Sequence, residues 1–198
     1  DLPRPAANTF GNTDNLSEEL PLLAIRGFGQ SEVQMVPLHM AMVAGAVANG
    51  GQMMKPYAVQ ATYDQGGRVL DQTSPEVWKT PISPATAEIE KQLMIGVAER
   101  GTASCCIALE GCIPVAAKTG TAQLGDPSNP DLSHAWIIAF APADDPQYAV
   151  SVVLTNVQST ADVAATGGRL AGPIAKGMLD FLLTGPGAQP TAPTPESG

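Results

Sequence analysis

Between residues 115 and 156 the chain passes through three strand-forming stretches separated by turn formers, and this succession restricts the fold more than any other feature. The stretches are Val115 to Leu124, Ala135 to Ala141 and Tyr148 to Asn156. Connections this short join antiparallel neighbours, because a parallel pair needs a long crossover. Ala143-Asp144-Asp145-Pro146-Gln147 is the tighter connection, a hairpin turn. Residues 125 to 133 form the other; Gly125-Asp126-Pro127 opens it, and Ser128-Asn129-Pro130-Asp131 reads as a turn. The third stretch alternates weakly, with Val150, Val152 and Leu154 on one face and Ala149, Ser151 and Val153 on the other. Both of its faces are therefore expected to be covered.

Helices supply the cover. Pro37 stands in the first turn of a helix predicted to run to about Ala48, where Asn49-Gly50-Gly51 stops it. Val36, Met40, Val43 and Val47 recur at helical spacing and read as its core face. Ser83 caps a second helix with Pro84 at its first position, running to about Arg100 with Ile89, Leu93 and Val97 as its apolar stripe. A third is predicted from about Gly168 to Leu183. A short helix near Ser17 to Leu23, capped by Ser17, is the one element expected in residues 1 to 24. Short strands are expected between 57 and 80, around the turn Asp64-Gln65-Gly66-Gly67. Residues 185 to 198, rich in Pro, Gly, Thr and Ala, read as a disordered tail after a domain occupying 1 to 184. The fold class is mixed α/β, an antiparallel sheet flanked by helices.

The chain is long enough, at 198 residues, for one domain with a substantial core. Its net charge of −9, with only 10 Lys and Arg, argues against nucleic acid or an anionic lipid surface as a partner, since both require a basic face. No apolar run approaches ~20 residues, the length that spans a bilayer.

The first strand carries the chemistry-bearing run Ala117-Lys118-Thr119-Gly120-Thr121-Ala122-Gln123-Leu124. Upstream lie Arg26-Gly27-Phe28-Gly29-Gln30, Val36-Pro37-Leu38-His39-Met40-Ala41, Ala48-Asn49-Gly50-Gly51 and Lys55-Pro56-Tyr57. Val97-Ala98-Glu99-Arg100-Gly101-Thr102-Ala103 precedes the strand. His134-Ala135-Trp136-Ile137-Ile138-Ala139-Phe140-Ala141-Pro142 follows it, and then come Gly167-Gly168 and Ala171-Gly172-Pro173-Ile174. A Lys-Thr-Gly-Thr strand is a signature of the penicillin-binding and serine β-lactamase superfamily. The ordered set, over about residues 25 to 183, resembles the transpeptidase domains of class B penicillin-binding proteins, with actinobacterial members nearest in pattern. Val36 stands where the family has Thr, and His39 where it has Gln; with Ile137, these departures touch packing positions.

The family's Ser-x-x-Lys nucleophile motif and its Ser-x-Asn triplet are not found at a matching place in this sequence. In the family both lie upstream of the segment that begins near Gly27. The resemblance thus implies the C-terminal portion of the penicillin-binding protein/serine β-lactamase-like fold, with the upstream part cut away or carried by a separate chain. It implies a peptidoglycan D,D-transpeptidase, which crosslinks stem peptides through a serine acyl-enzyme and is acylated by β-lactams. A D,D-carboxypeptidase or β-lactamase of the same superfamily, and a catalytically dead sensor or scaffold domain, are the alternatives. Lys118 and Thr121 are the implied catalytic residues. Lys118 places a cation beside the nucleophile, and the Thr121 N–H is an oxyanion donor. Thr119, Gly120, Thr121, Ala122, Gln123 and His134 are the implied substrate-binding residues. The Thr119 and Thr121 hydroxyls face a carboxylate, Gly120 leaves room for close backbone approach, and the strand edge from Thr121 to Gln123 pairs with the peptide main chain. No cofactor and no metal is implied. The implied partners are stem peptides, β-lactam antibiotics, the upstream part of the same domain, and cell-division or elongation proteins, with no nucleic acid. The implied location is the extracytoplasmic face of the bacterial cell membrane, anchored by an N-terminal segment outside this sequence.

The remaining candidates carry two readings each. His134 is a capping or packing histidine, or it touches substrate. Trp136 is core rather than a binding platform, His39 is structural, and Arg26 anchors the loop before Gly29. In the oxidising location the resemblance implies, Cys105 or Cys106 bridges to Cys112; the alternative is three buried thiols.

Overall fold

A computed structural model describes residues 7–14, 17–125, 128–129, 131–160 and 164–185. The expected tail from residue 186 onward, and Asp126, Pro127 and Pro130 of the first connection, lie outside the described residues.

Three long strands, β5 (Ala116–Gln123), β6 (Leu132–Ala141) and β7 (Tyr148–Gln158), form an antiparallel sheet in the order β5-β6-β7. Strand alternation gives β6 two buried faces. Ile137, Ala139 and Ala141 join Ala117 of β5 in one cluster, against Ala171, Ala175 and Leu179 of the C-terminal helix. Ile138 and Phe140 join Ala116 in the other, against Ala44 and Met94 of two earlier helices. The weakly alternating third strand is indeed covered on both sides, and the small residues alanine and glycine let the layers approach closely.

Helix α1 spans Leu20–Gly27. It begins later than the sequence predicts, without a side-chain cap, because Pro21 in its first turn rather than Ser17 defines the start. Helix α2 (Pro37–Ala48) starts at Pro37 and ends as expected: Gly50 and Gly51 take φ of 60° and 91°, and the Gly51 N–H donates to the Ala46 carbonyl at 2.7 Å. Met40, Val43 and Val47 pack half-buried beside Ala44. Strands β1 (Met53–Met54) and β4 (Val77–Lys79) pair, and β2 (Ala61–Tyr63) and β3 (Val69–Gln72) form the hairpin around Asp64 to Gly67. The Asp64 carboxylate accepts the Gly66 and Arg68 N–H groups at 2.9 Å each, which fixes that turn.

Helix α3 (Pro84–Arg100) has the predicted limits, with the Ser83 hydroxyl accepting the Thr86 N–H at 3.1 Å. Of the predicted stripe only Val97 packs against the core, half-buried. Ala87, Met94 and Ala98 face inward, while Ile89 and Leu93 remain 62% and 60% exposed. Ala87 and Ala98 let α3 seat closely, and Ile89 and Leu93 fall on the opposite side of the helix. After the 3-10 turn Glu110–Cys112 come the sheet strands, a π-helical turn Gly167–Ala171, and α4 (Gly172–Thr184), which buries Gly172, Ala175 and Leu179. The predicted C-terminal helix thus begins with a π turn, and β6 begins three residues earlier than predicted.

The cysteines also depart from expectation. Cys105 and Cys106 bond to each other, and Cys112 is a free, exposed thiol on the turn beyond. The tight turn after α3 brings the two adjacent side chains together, and Cys106 is held there against Gly172, whose built Cβ would lie 3.0 Å from the Cys106 Cβ.

Candidate active site

Among the described residues strand β5 is the edge of the sheet, so one side of its backbone has no strand partner there. In an antiparallel ladder, alternate residues turn both N–H and C=O toward the neighbour and the others turn both away. The Thr121 carbonyl accepts the Gln30 amide Nε2 at 3.3 Å, from outside the sheet. Thr119, Thr121 and Gln123 therefore direct their backbone groups to the open edge, and Lys118, Gly120 and Ala122 direct theirs into β6. The Lys118 ammonium bends back over the same edge and donates to the Thr119 carbonyl at 2.7 Å. Among the described residues it has no carboxylate partner.

Side chains divide by strand alternation. Lys118, Gly120 and Ala122 lie on the α2 and α3 face, opposite Ile138, Trp136 and His134 respectively. Thr119 and Thr121 lie on the other face, opposite Ile137 and Ala135. Lys118, Thr121 and Gln123 are exposed; Thr119, Gly120 and Ala122 are half-buried. The structure thus brings together all six candidate residues of β5.

His134 faces Ala122 where the β6–β7 register shifts between Ser133 and Ala135. Its Nδ1 accepts the Asn156 N–H at 3.1 Å, and Asn156 has a φ of 55°. A backbone N–H only donates, so Nδ1 is unprotonated in this contact, and His134 caps the irregular stretch of β7. Trp136 is half-buried and stands outside both core clusters, beside Gly120. His39 is structural, its Nδ1 paired with the Asn8 amide. Arg26 is buried and ties Asn12 to Glu32, an anchor of the loop before Gly29 as expected.

Within this chain the close backbone approaches lie at Gly167 and Gly168. A Cβ on Gly120 would meet only the Trp136 Cβ, at 3.3 Å. A Cβ on Gly167 would lie 1.9 Å from the Trp136 carbonyl oxygen and 2.7 Å from that of Gly120. One on Gly168 would lie 2.0 Å from the Thr102 carbonyl oxygen. The glycine pair lets the π turn come against the motif strand.

Two residues that sequence reasoning left without a role reach the strand. Gln30 occupies the edge at Thr121, and the Thr102 hydroxyl lies 2.5 Å from that of Thr119. Gln30 belongs to Gly-Phe-Gly-Gln and Thr102 to Gly-Thr-Ala, and the family resemblance of those two segments is the signal that points to them.

Known proteins resemble this chain in sequence and fold. The penicillin binding protein transpeptidase domain family matches residues 10–180. The peptidoglycan D,D-transpeptidase PbpA of Mycolicibacterium smegmatis is 38% identical over 162 residues, covering 81% of this chain and 32% of its own length. The chain spans about a third of the length of the curated relatives it matches. Penicillin-binding protein A of Mycobacterium tuberculosis superposes in its ceftriaxone acyl-enzyme complex with a TM-score of 0.74 and 35% identity, over 86% of this chain and 36% of that one. In its penicillin G acyl-enzyme complex the values are 0.71 and 33%, over 89% and 37%. With its mixed α/β fold and its Lys-Thr-Gly-Thr edge strand, the chain belongs to the penicillin-binding protein transpeptidase domain family.

Proposed function

We propose that this chain forms the β5 wall of a peptidoglycan D,D-transpeptidase site, and that its complete domain crosslinks stem peptides and is acylated by β-lactams. The observation that carries the proposal is the open edge of β5, where the Thr121 backbone faces outward with Lys118 beside it.

The nucleophilic serine belongs to the upstream part of the domain, which is this chain's partner. Attack on the terminal D-alanyl amide, or on a β-lactam ring that mimics it, places negative charge on the carbonyl oxygen. The Thr121 N–H, pointing off the edge, donates to that oxygen; losing one such donor typically costs on the order of 3 kcal/mol in the barrier. The Lys118 ammonium, held by an exposed carbonyl rather than a carboxylate, is free to turn toward the serine and lower the cost of deprotonating it. The Thr119 and Thr121 hydroxyls meet the substrate carboxylate through charge-assisted hydrogen bonds. The substrate main chain adds to β5 between Thr121 and Gln123, with Gly120 and Ala122 leaving the face above it low. His134 holds the Asn156 N–H through Nδ1 and so supports the register of β6 beside the site. The site works outside the cytoplasmic membrane, where its substrate lies; among the described residues no helix is long and apolar enough to cross a membrane.

Fluorescent penicillin labelling of the complete domain tests this reading. Wild type is expected to form a covalent adduct stable on a denaturing gel, and Lys118→Ala to lose it by about a thousandfold or more in rate while its thermal midpoint is unchanged. Labelling of Lys118→Ala at the wild-type rate would remove Lys118 from the mechanism. A wild-type domain that folds and takes no label would make it a dead sensor or scaffold.

A further inference from the structure

We propose that Thr102 is a positioning residue that donates to the Thr119 hydroxyl and so leaves the Thr119 proton for the substrate carboxylate. This rests on the reading that Thr119 binds the substrate carboxylate.

A threonine hydroxyl has one proton to donate and two lone pairs to accept with. The two oxygens lie 2.5 Å apart, so one hydroxyl donates to the other. If Thr119 donated to Thr102, its single proton would be spent and its lone pairs would repel a carboxylate. If Thr102 donates, Thr119 keeps its proton for the carboxylate, and the two hydroxyls form a relay in which each bond polarises the next. An arriving carboxylate selects the second arrangement.

Thr102 can do this because its position is fixed from three sides. At the end of α3, the Val97 carbonyl accepts the N–H groups of Gly101 and Ala103 on either side of it, at 3.1 and 3.3 Å. Gly101 is required there, since a Cβ would lie 2.8 Å from the Val97 Cα. From the C-terminal side, Gly168 lets the π turn come against the Thr102 carbonyl, where a Cβ would be 2.0 Å away, and that same Cβ would be 3.6 Å from the Thr119 Cγ2. Below, Ala103 and Ile107 are fully buried, and the bonded pair Cys105–Cys106 closes the turn against Gly172. Helix α3, strand β5 and the π turn therefore converge on one exposed hydroxyl pair. The backbone that carries this hydroxyl is firmly held, and packing alone is equally served by valine, so the hydroxyl serves direction.

The experiment is a double-mutant cycle in the complete domain. It reads the second-order acylation rate constant for benzylpenicillin, together with the thermal midpoint. Thr102→Val is expected to slow acylation about tenfold with an unchanged midpoint, and Thr102→Ser to restore most of the rate. Thr119→Val is expected to lose at least as much, and Thr102→Val/Thr119→Val no more than Thr119→Val alone, because Thr102 acts only through Thr119. Thr102→Ala accompanies Thr102→Val so that a methyl-group clash is not mistaken for a lost donor. If Thr119→Val is slow but Thr102→Val and Thr102→Ala acylate at the wild-type rate, or if the losses are fully additive, the positioning role fails and the carboxylate reading stands. If Thr119→Val itself acylates normally, the carboxylate reading fails and takes this proposal with it.

Discussion

The two faces of the β5-β6-β7 sheet are built to different ends. On the α4 face the cover extends from Val115 to Leu179, and Gly167 and Gly168 bring backbone directly against backbone. On the α2 and α3 face, Ala44 and Met94 close over Ala116, Ile138 and Phe140, and the cover stops there. Further along the same face, Lys118, Gly120, Ala122, His134 and Trp136 lie exposed or half-buried. The candidate site lies at the end of this face that the described helices leave open. A strand can offer fixed geometry to a ligand when its far side is anchored rigidly and its near side carries little bulk.

Three kinds of substitution separate anchoring from chemistry, and a pH series adds a fourth. Phe140→Ala, which empties the fully buried aromatic position of the α2 face, is expected to destabilise by about 3–5 kcal/mol, read in urea denaturation. A value near zero would mean that this face carries no packing load and the comparison fails. Gly167→Ala forces a Cβ into two strand carbonyls and is expected to cost a few kcal/mol and to slow acylation as well, because it displaces β5 itself. Loss of stability with an unchanged acylation rate would uncouple the α4 face from the site. Gln30→Ala removes the one side chain that occupies the Thr121 carbonyl. It is expected to speed peptide-bearing β-lactams by only about twofold, since the freed acceptor gains a ligand N–H at the cost of one exposed hydrogen bond; slower acylation would make Gln30 an organiser of the edge.

The smallest effect concerns Asp180. Burial raises its carboxyl pKa, but the Lys176 ammonium and the Glu110 N–H together outweigh that and hold it below the usual carboxylate range. A depressed folded-state value contributes stability above the unfolded pKa of ~3.9 and loses it as pH falls through the folded one. Asp180→Asn should therefore melt slightly below wild type at pH 7, and the gap should shrink as the pH is lowered through the acid range. A gap that persists at low pH would assign the loss to shape rather than charge.

Local rules read much of this molecule correctly. Pro37, the Ser83-Pro84 pair and Asn49-Gly50-Gly51 mark helix limits because capping and ring constraints act within a few residues. The motif strand and its neighbours were legible for the same reason. The face of α3 was not, because Ile89 and Leu93 have the spacing of a core stripe and only a neighbour's position decides which side is buried. Nor could spacing show that Thr102 meets Thr119 or that Gln30 reaches Thr121, contacts made across 17 and 91 residues. Adjacent cysteines that bond to each other likewise run against the intuition that a bridge closes a loop.

An edge that can recruit a peptide can recruit any extended chain, including another copy of itself. Natural sheets discourage such pairing with lysines and with side chains laid over the unpaired groups. On β5 the Lys118 ammonium lies on the Thr119 carbonyl and the Gln30 amide on the Thr121 carbonyl, so both outward acceptors at the centre of the strand are occupied. Two side chains thus cover the acceptors through which a second strand would pair with β5.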